Sequence, residues 1–216
     1  MDNFASAVQL TSLTLFLILF IARVVYLRSS RGVNVFTLGH GKRGITWLVE
    51  VLFLPVFLAW FLEVVLYALH SSFRLFPAPL DHRLLSGQSV QMAGLFCFMA
   101  ALGLFCAALV AFGTSWRVGI DEDKPGDLVS HGIFALSRNP IFVCLDLYVL
   151  GAFLVNGSLI FLLFAALTMI GIHGQILQEE RFLHSRYGSA YSNYCRQTGR
   201  YFGWQVPGAV APKGSN

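Results

Sequence analysis

Charge is what this sequence has least of. Asp, Glu, Lys and Arg together make up 12% of its 216 residues, about half of the roughly 25% usual in soluble domains. So few ions cannot clothe a water-facing surface, which excludes an ordinary soluble globular fold. Cysteine is scarce too: Cys97, Cys106, Cys144 and Cys195 form no CxxC spacing, which leaves them as reduced, small apolar packing residues. HExxH, GxSxG and P-loop patterns are missing, so no zinc-protease, serine-hydrolase or phosphate-loop chemistry is indicated and no metal site is expected. A net charge of +4 is too small and too scattered to call for nucleic acid.

What is present is apolar length. Hydrophobic residues make 56% of the chain and the mean hydropathy is +0.66. A bilayer core about 30 Å thick needs about 20 helical residues, and a helix crosses with its own backbone bonds closed. Five runs fit that pattern: residues 7–27, 45–69, 90–112, 141–155 and 158–176. The first lacks a basic leader and cleavage site and reads as a retained helix, with Arg23 snorkelling to the interface. Asn156 and Gly157 make a turn between the last two, and Pro140 is placed to start the fourth at its first helical position. The expected fold is all-α and polytopic, with about five transmembrane helices. Residues 1–112 carry the first three; residues 113–216 carry a loop, the hairpin 141–176 and a polar tail.

Basic residues sit unevenly between these runs. Arg28, Arg31, Lys42 and Arg43 follow the first, Arg117, Lys124 and Arg138 follow the third, and Arg181, Arg186, Arg196, Arg200 and Lys213 occupy the tail, against Arg74 and Arg83 on the other side. The positive-inside bias then places the N-terminus outside and the C-terminus in the cytoplasm. One face therefore receives both HGIFALSRNP, residues 131–140, and QEERFLHSRYGSAYSNYCRQTGRYF, residues 178–202. They lie at the two ends of one hairpin, so Arg138 must come near Glu179 or Glu180. Arg138 and the first N–H groups of the fourth helix suit a carboxylate, and the two glutamates suit a cation or a ribose. Phe134, Phe142, Tyr187, Tyr191, Tyr194 and Tyr201 offer rings for a planar base or a sulfonium. Each also has a plainer reading: Arg138 as an interface residue, the Glu pair as a solvated first turn, Tyr191 and Tyr194 as an interfacial belt, His131 as a turn residue. Glu50 and Asp146, each about 8 Å deep at 1.5 Å per residue, are too costly to face lipid and are expected to point into the bundle beside the pocket.

The ordered motifs HG-x-F-x-x-x-R-x-P-x-F and EE, six residues, YG-x-x-Y-x-x-Y, separated by an apolar hairpin, resemble the isoprenylcysteine carboxyl methyltransferase family and its phospholipid N-methyltransferase relatives. The likeness covers roughly residues 113–202. It implies an integral membrane methyltransferase that uses S-adenosylmethionine and passes the methyl group directly to an oxygen, sulfur or nitrogen of a lipophilic or lipid-modified acceptor arriving from the membrane lipids. Carried over, the cofactor pocket is lined by Leu128, Val129, His131, Gly132, Phe134, Arg138, Asn139, Pro140, Phe142, Glu179, Tyr191 and Tyr194, with Arg138, Gln175 and Glu180 facing the reacting groups. Phe134 and Phe142 stand where the family has tyrosines, and Asn139 where it has histidine. Gln175 replaces an arginine that meets a carboxylate substrate, so the expected acceptor is an amine, thiol or hydroxyl, unless a base such as His173 compensates. Two other classes compete: an NADPH-dependent membrane isoprenoid or sterol reductase, whose relatives are about twice as long, and a small transporter or helper subunit using Glu50, Glu63 and Asp146.

Overall fold

A computed structural model describes residues 2–31, 45–113 and 128–203. They form six α-helices: α1 (Asp2–Arg31), α2 (Ile45–Ala68), α3 (Gln88–Phe112), α4 (Pro140–Asn156), α5 (Leu159–Tyr187) and α6 (Ser189–Gln197). Short 3₁₀ turns at Ala78–Asp81 and Gly132–Ala135 precede α3 and α4. Among the described residues there is no strand; Arg83 and Ser158 form an isolated antiparallel bridge. Three helices, α1, α3 and α5, are long and apolar enough to cross a membrane. The described part of α2 and the whole of α4 are shorter apolar helices.

The hairpin forms as its punctuation requires. Pro140 is the first residue of α4 behind Asn139, where its missing N–H costs nothing. Gly157 ends α4 in the left-handed conformation, φ 70°, which a side chain would strain. The Gly157 carbonyl accepts from the N–H groups of Leu84 at 2.7 Å and Leu85 at 3.0 Å, so the α2–α3 loop clasps the turn.

Helices α3 and α4 make the closest pairing, and glycine permits it. A Cβ added to Gly94 would lie 2.9 Å from the Gly151 carbonyl oxygen, and one on Gly151 would lie 3.0 Å from that of Gly94. The two backbones are therefore in contact, the arrangement that small residues allow inside membranes. Around them Phe16, Trp60, Phe98, Phe105, Tyr148 and Phe161 build one buried cluster. The described parts of α1, α2 and α3 thus share a single core with the hairpin. Phe16 binds the halves directly, with its ring 4.5 Å from Phe105 and 5.1 Å from Tyr148.

Polar contacts label the two ends of the bundle. At one end Asn156 reaches Gln9 at 3.4 Å, Tyr67 donates to Ser158 at 3.1 Å, and Glu63 accepts the Leu75 N–H at 3.0 Å. Glu63 is thereby a loop anchor rather than a free intramembrane charge. At the other end Arg23 donates to the Leu109 carbonyl at 3.2 Å and to that of Gly113. It closes the C-terminus of α3, where orphan carbonyls and the helix dipole favour a cation, instead of merely reaching for the interface. Helix α1 extends beyond the expected 7–27 at both ends. Helix α5 continues past residue 176 to Tyr187, because the following residues contain good helix formers and no glycine or proline until Gly188. The tail then adds α6, which carries no long apolar run and gave no membrane-like signal.

Candidate functional site

The end of the bundle where Arg23 caps α3 also receives the start of α4, the last turns of α5 and the tail. Glu180 lies on α5 with its side chain 10% exposed and is gripped from two sides. Arg138 Nη2 is 2.9 Å from Oε1, and Arg138 is itself only 11% exposed. Arg200 donates to Oε2 through Nε at 3.0 Å and Nη2 at 2.8 Å. The same Arg200 reaches the site because its segment is pinned: the Arg138 N–H donates to the Gly199 carbonyl at 3.0 Å, and Asn139 Nδ2 donates to the Arg200 carbonyl at 3.1 Å. Asn139 Nδ2 also approaches Glu180 Oε1 at a long 3.5 Å. Its backbone N–H is taken by the Ser137 hydroxyl at 3.1 Å. The motif R-N-P and the glutamate pair are thus joined through space, with the tail as the third strand of the knot. The hydrogen bond to Glu180 raises the Arg200 guanidinium further above its ordinary value.

A cleft of about 470 Å³ opens beside the knot, lined by Leu177, Glu180, Arg181, His184 and Arg200. That is within the roughly 300–1,000 Å³ of small-molecule sites. Arg138 Nε is buried and makes no hydrogen bond. A zwitterionic cofactor fits this donor set: guanidinium groups for its carboxylate and a buried glutamate for its cationic or hydroxyl groups.

The remaining sequence candidates fall into four places. Phe134, Tyr191 and Tyr194 are buried together in a small second core, with Leu128 and Val129 packed against them. Tyr191 is 1% exposed and Tyr194 7%, so in this structure their rings are covered by protein. Tyr194 donates to the Phe134 carbonyl at 2.6 Å, fixing the 3₁₀ turn that aims Arg138. Burial pushes both phenols up. His131 and Gly132 are exposed and line a separate groove with Cys106 and Ala107. Pro140 is buried at the head of α4 and Phe142 is half-buried. Gln175 and Glu179 are half-buried on α5, on a stripe about 100° or more round the helix from Glu180. The structure therefore brings Arg138 to Glu180, the second glutamate of the pair.

Of the two acids expected inside the bundle, Asp146 has its Oδ1 buried with no hydrogen bond. Glu50 lies outside the described side chains. Sequence reasoning passed over Arg200, noted only as tail charge. It also missed Ser137 and Thr198, whose hydroxyl donates to the Ala135 carbonyl at 3.3 Å. A short polar loop carries no periodicity, so nothing in its pattern announced which side chain would turn inward.

Residues 90–190 match the family model described as phospholipid methyltransferase. The match runs from α3 into the start of α6 and bears out the resemblance carried by the two motifs. Together with the spanning helices it makes the chain similar to membrane methyltransferases. No curated protein matches the chain.

Proposed function

We propose that the protein binds S-adenosylmethionine beside the Arg138–Glu180–Arg200 knot and methylates an amine, thiol or hydroxyl of a lipophilic acceptor. The observation that carries this reading is the buried three-way ion cluster, assembled from the ends of one hairpin and the tail, whose Glu180 and Arg200 line an open cleft. When bound, the cofactor supplies a methyl group already activated on a sulfonium. The chain's own work is then positional: Arg138 meets a carboxylate, the knot holds its geometry, and apolar helix faces lead an acceptor in from the bilayer. Holding reactants at about 3–3.5 Å in a dry site is worth several orders of magnitude in rate. Gln175 supplies no fixed charge, so a carboxylate acceptor would stay uncompensated in a low-dielectric mouth at a cost of several kcal/mol. By the positive-inside bias, the basic residues of the loops and tail support a reading in which the site and the C-terminus are cytoplasmic.

Calorimetry on detergent-solubilised protein tests the cofactor. S-adenosylhomocysteine binds the native protein and NADPH does not. Arg138→Ala and Glu179→Ala, which the family pattern assigns to the cofactor, each lose most of that affinity while remaining folded. Unchanged affinity in both variants refutes the assignment. A tritiated-methyl assay then ranks lipophilic amine, thiol and hydroxyl acceptors above a farnesylcysteine carboxylate.

A further inference from the structure

The two arginines that hold Glu180 do not hold it in the same way. Arg138 meets Oε1 at 2.9 Å with its side chain 11% exposed. Arg200 meets Oε2 at 2.8 Å with its side chain 37% exposed, and together with Glu180 it lines the open cleft. A ligand in the cleft therefore reaches Glu180 at the Arg200 arm. Water screens a part-exposed pair of this kind, so breaking it costs little. The backbone that carries the arm is fixed on both sides. The Thr198 N–H donates to the Tyr194 carbonyl at 3.0 Å and the Gly199 N–H to the Gly203 carbonyl at 2.8 Å. The Arg138 N–H and Asn139 Nδ2 hold the Gly199 and Arg200 carbonyls. Beyond Arg200, the Tyr201 hydroxyl lies 2.6 Å from His173 Nδ1 on α5, with the two rings stacked at 18°. The turn has no slack: a Cβ on Gly199 would lie 2.7 Å from the Phe202 carbonyl oxygen. What is left free to move is the Arg200 side chain. Arg181, exposed and with its Nε donated to the Leu177 carbonyl at 3.2 Å, and His184 line the same cleft. Basic neighbours repel a bare cation, so the ligand that fits brings an anion of its own.

We propose that Arg200 is an exchangeable arm, a competitor built into the chain: it occupies Glu180 Oε2 while the cleft is empty and yields that oxygen to the ammonium of a zwitterionic ligand. This rests on the cofactor reading and adds to it a contact that holds the empty site closed. Exchange replaces one cation by another while Arg138 stays on Oε1, so the buried carboxylate is never left bare. The displaced guanidinium enters water, and its pinned root keeps it beside the cleft to close again when the ligand leaves. Such an arm lowers the apparent affinity of the ligand by the fraction of molecules in which it has let go. Removing the arm therefore tightens binding, whereas removing a residue that grips the ligand loosens it.

Calorimetry on the full-length protein compares S-adenosylhomocysteine, which carries an ammonium, with methylthioadenosine, which does not. Arg200→Gln binds S-adenosylhomocysteine about fivefold more tightly than the native protein, the equivalent of the roughly 1 kcal/mol of a part-exposed pair, and binds methylthioadenosine within twofold of native. Arg200→Lys keeps a point charge without the guanidinium fork and falls between the two. Both variants retain the backbone bonds at residues 199 and 200. In isotope-labelled, ligand-free protein the arginine Nε–H resonances, assigned by their loss in Arg138→Ala and Arg200→Gln, follow the arm directly. Raising NaCl from about 0.01 M to about 1 M shortens the screening length from about 30 Å to about 3 Å; exchange of the Arg200 Nε–H with water then quickens at least threefold while that of Arg138 stays unchanged. Weaker or unchanged S-adenosylhomocysteine binding in Arg200→Gln overturns the proposal. So does equal tightening of both ligands, which would reflect cleared space rather than a vacated charge, or an equal response to salt at the two arginines. Native protein that binds no S-adenosylhomocysteine sinks the cofactor reading, and the salt comparison then decides the exchange by itself.

Discussion

Glu180→Gln strikes the one acceptor that two arginines share. Arg138 and Glu180 are 11% and 10% exposed, so removing the carboxylate leaves a buried guanidinium uncompensated, at about 3–5 kcal/mol. Arg200 is 37% exposed; water screens it, and its arm is discounted to at most about 1 kcal/mol. Glutamine keeps the shape and a carbonyl oxygen, which recovers part of one hydrogen bond, so the net loss is about 3 kcal/mol. For a chain of this size that corresponds to a Tm lower by about 6–12 °C. The single-arginine variants lose less, because each leaves Glu180 with one partner. The expected order of destabilisation is therefore Glu180→Gln, then Arg138→Ala, then Arg200→Ala, the last within about 4 °C of native. Scanning fluorimetry in one detergent, at one scan rate and with each variant assayed in parallel, gives the ranking. Arg200→Ala falling as far as Glu180→Gln refutes the reasoning, since it would mean that the exposed arm, not the buried one, carries the knot.

Two further changes probe the scaffold. Gly151→Leu places a branched side chain against the Gly94 carbonyl of α3; overpacking of this kind costs about 1–3 kcal/mol, and the variant is expected to show a lower Tm and weaker cross-linking between cysteines placed at the ends of α3 and α4. Tyr194→Phe removes the 2.6 Å bond to the Phe134 carbonyl and leaves that buried acceptor unpaired, so about 1–3 kcal/mol of stability goes and S-adenosylhomocysteine binding weakens as the turn that aims Arg138 loosens. An unchanged Tm and affinity in Tyr194→Phe would show that the turn is held by Thr198 and the backbone alone.

Composition decides this protein's class without reference to any contact. With 12% charged and 56% hydrophobic residues, only apolar helices with closed backbone bonding are available, and their lengths follow from the bilayer. The hairpin was legible for the same kind of reason: Pro140 and Gly157 act through local backbone geometry, which sequence states directly. The meeting of Arg138 with the glutamate pair followed from connectivity, since two segments at the ends of one short hairpin have nowhere else to go. Which glutamate would be chosen did not follow. Adjacent residues on a helix point about 100° apart, and whether 179 or 180 faces α4 depends on how α5 rotates to bury Ile172 and Ile176. The role of Arg200 and the pairing of Tyr201 with His173 depend on where a short, aperiodic tail lies down against α5. The burial of Tyr191 and Tyr194 depends on α6 folding back onto Phe134. Those are packing outcomes among distant segments, and only the tertiary structure holds them.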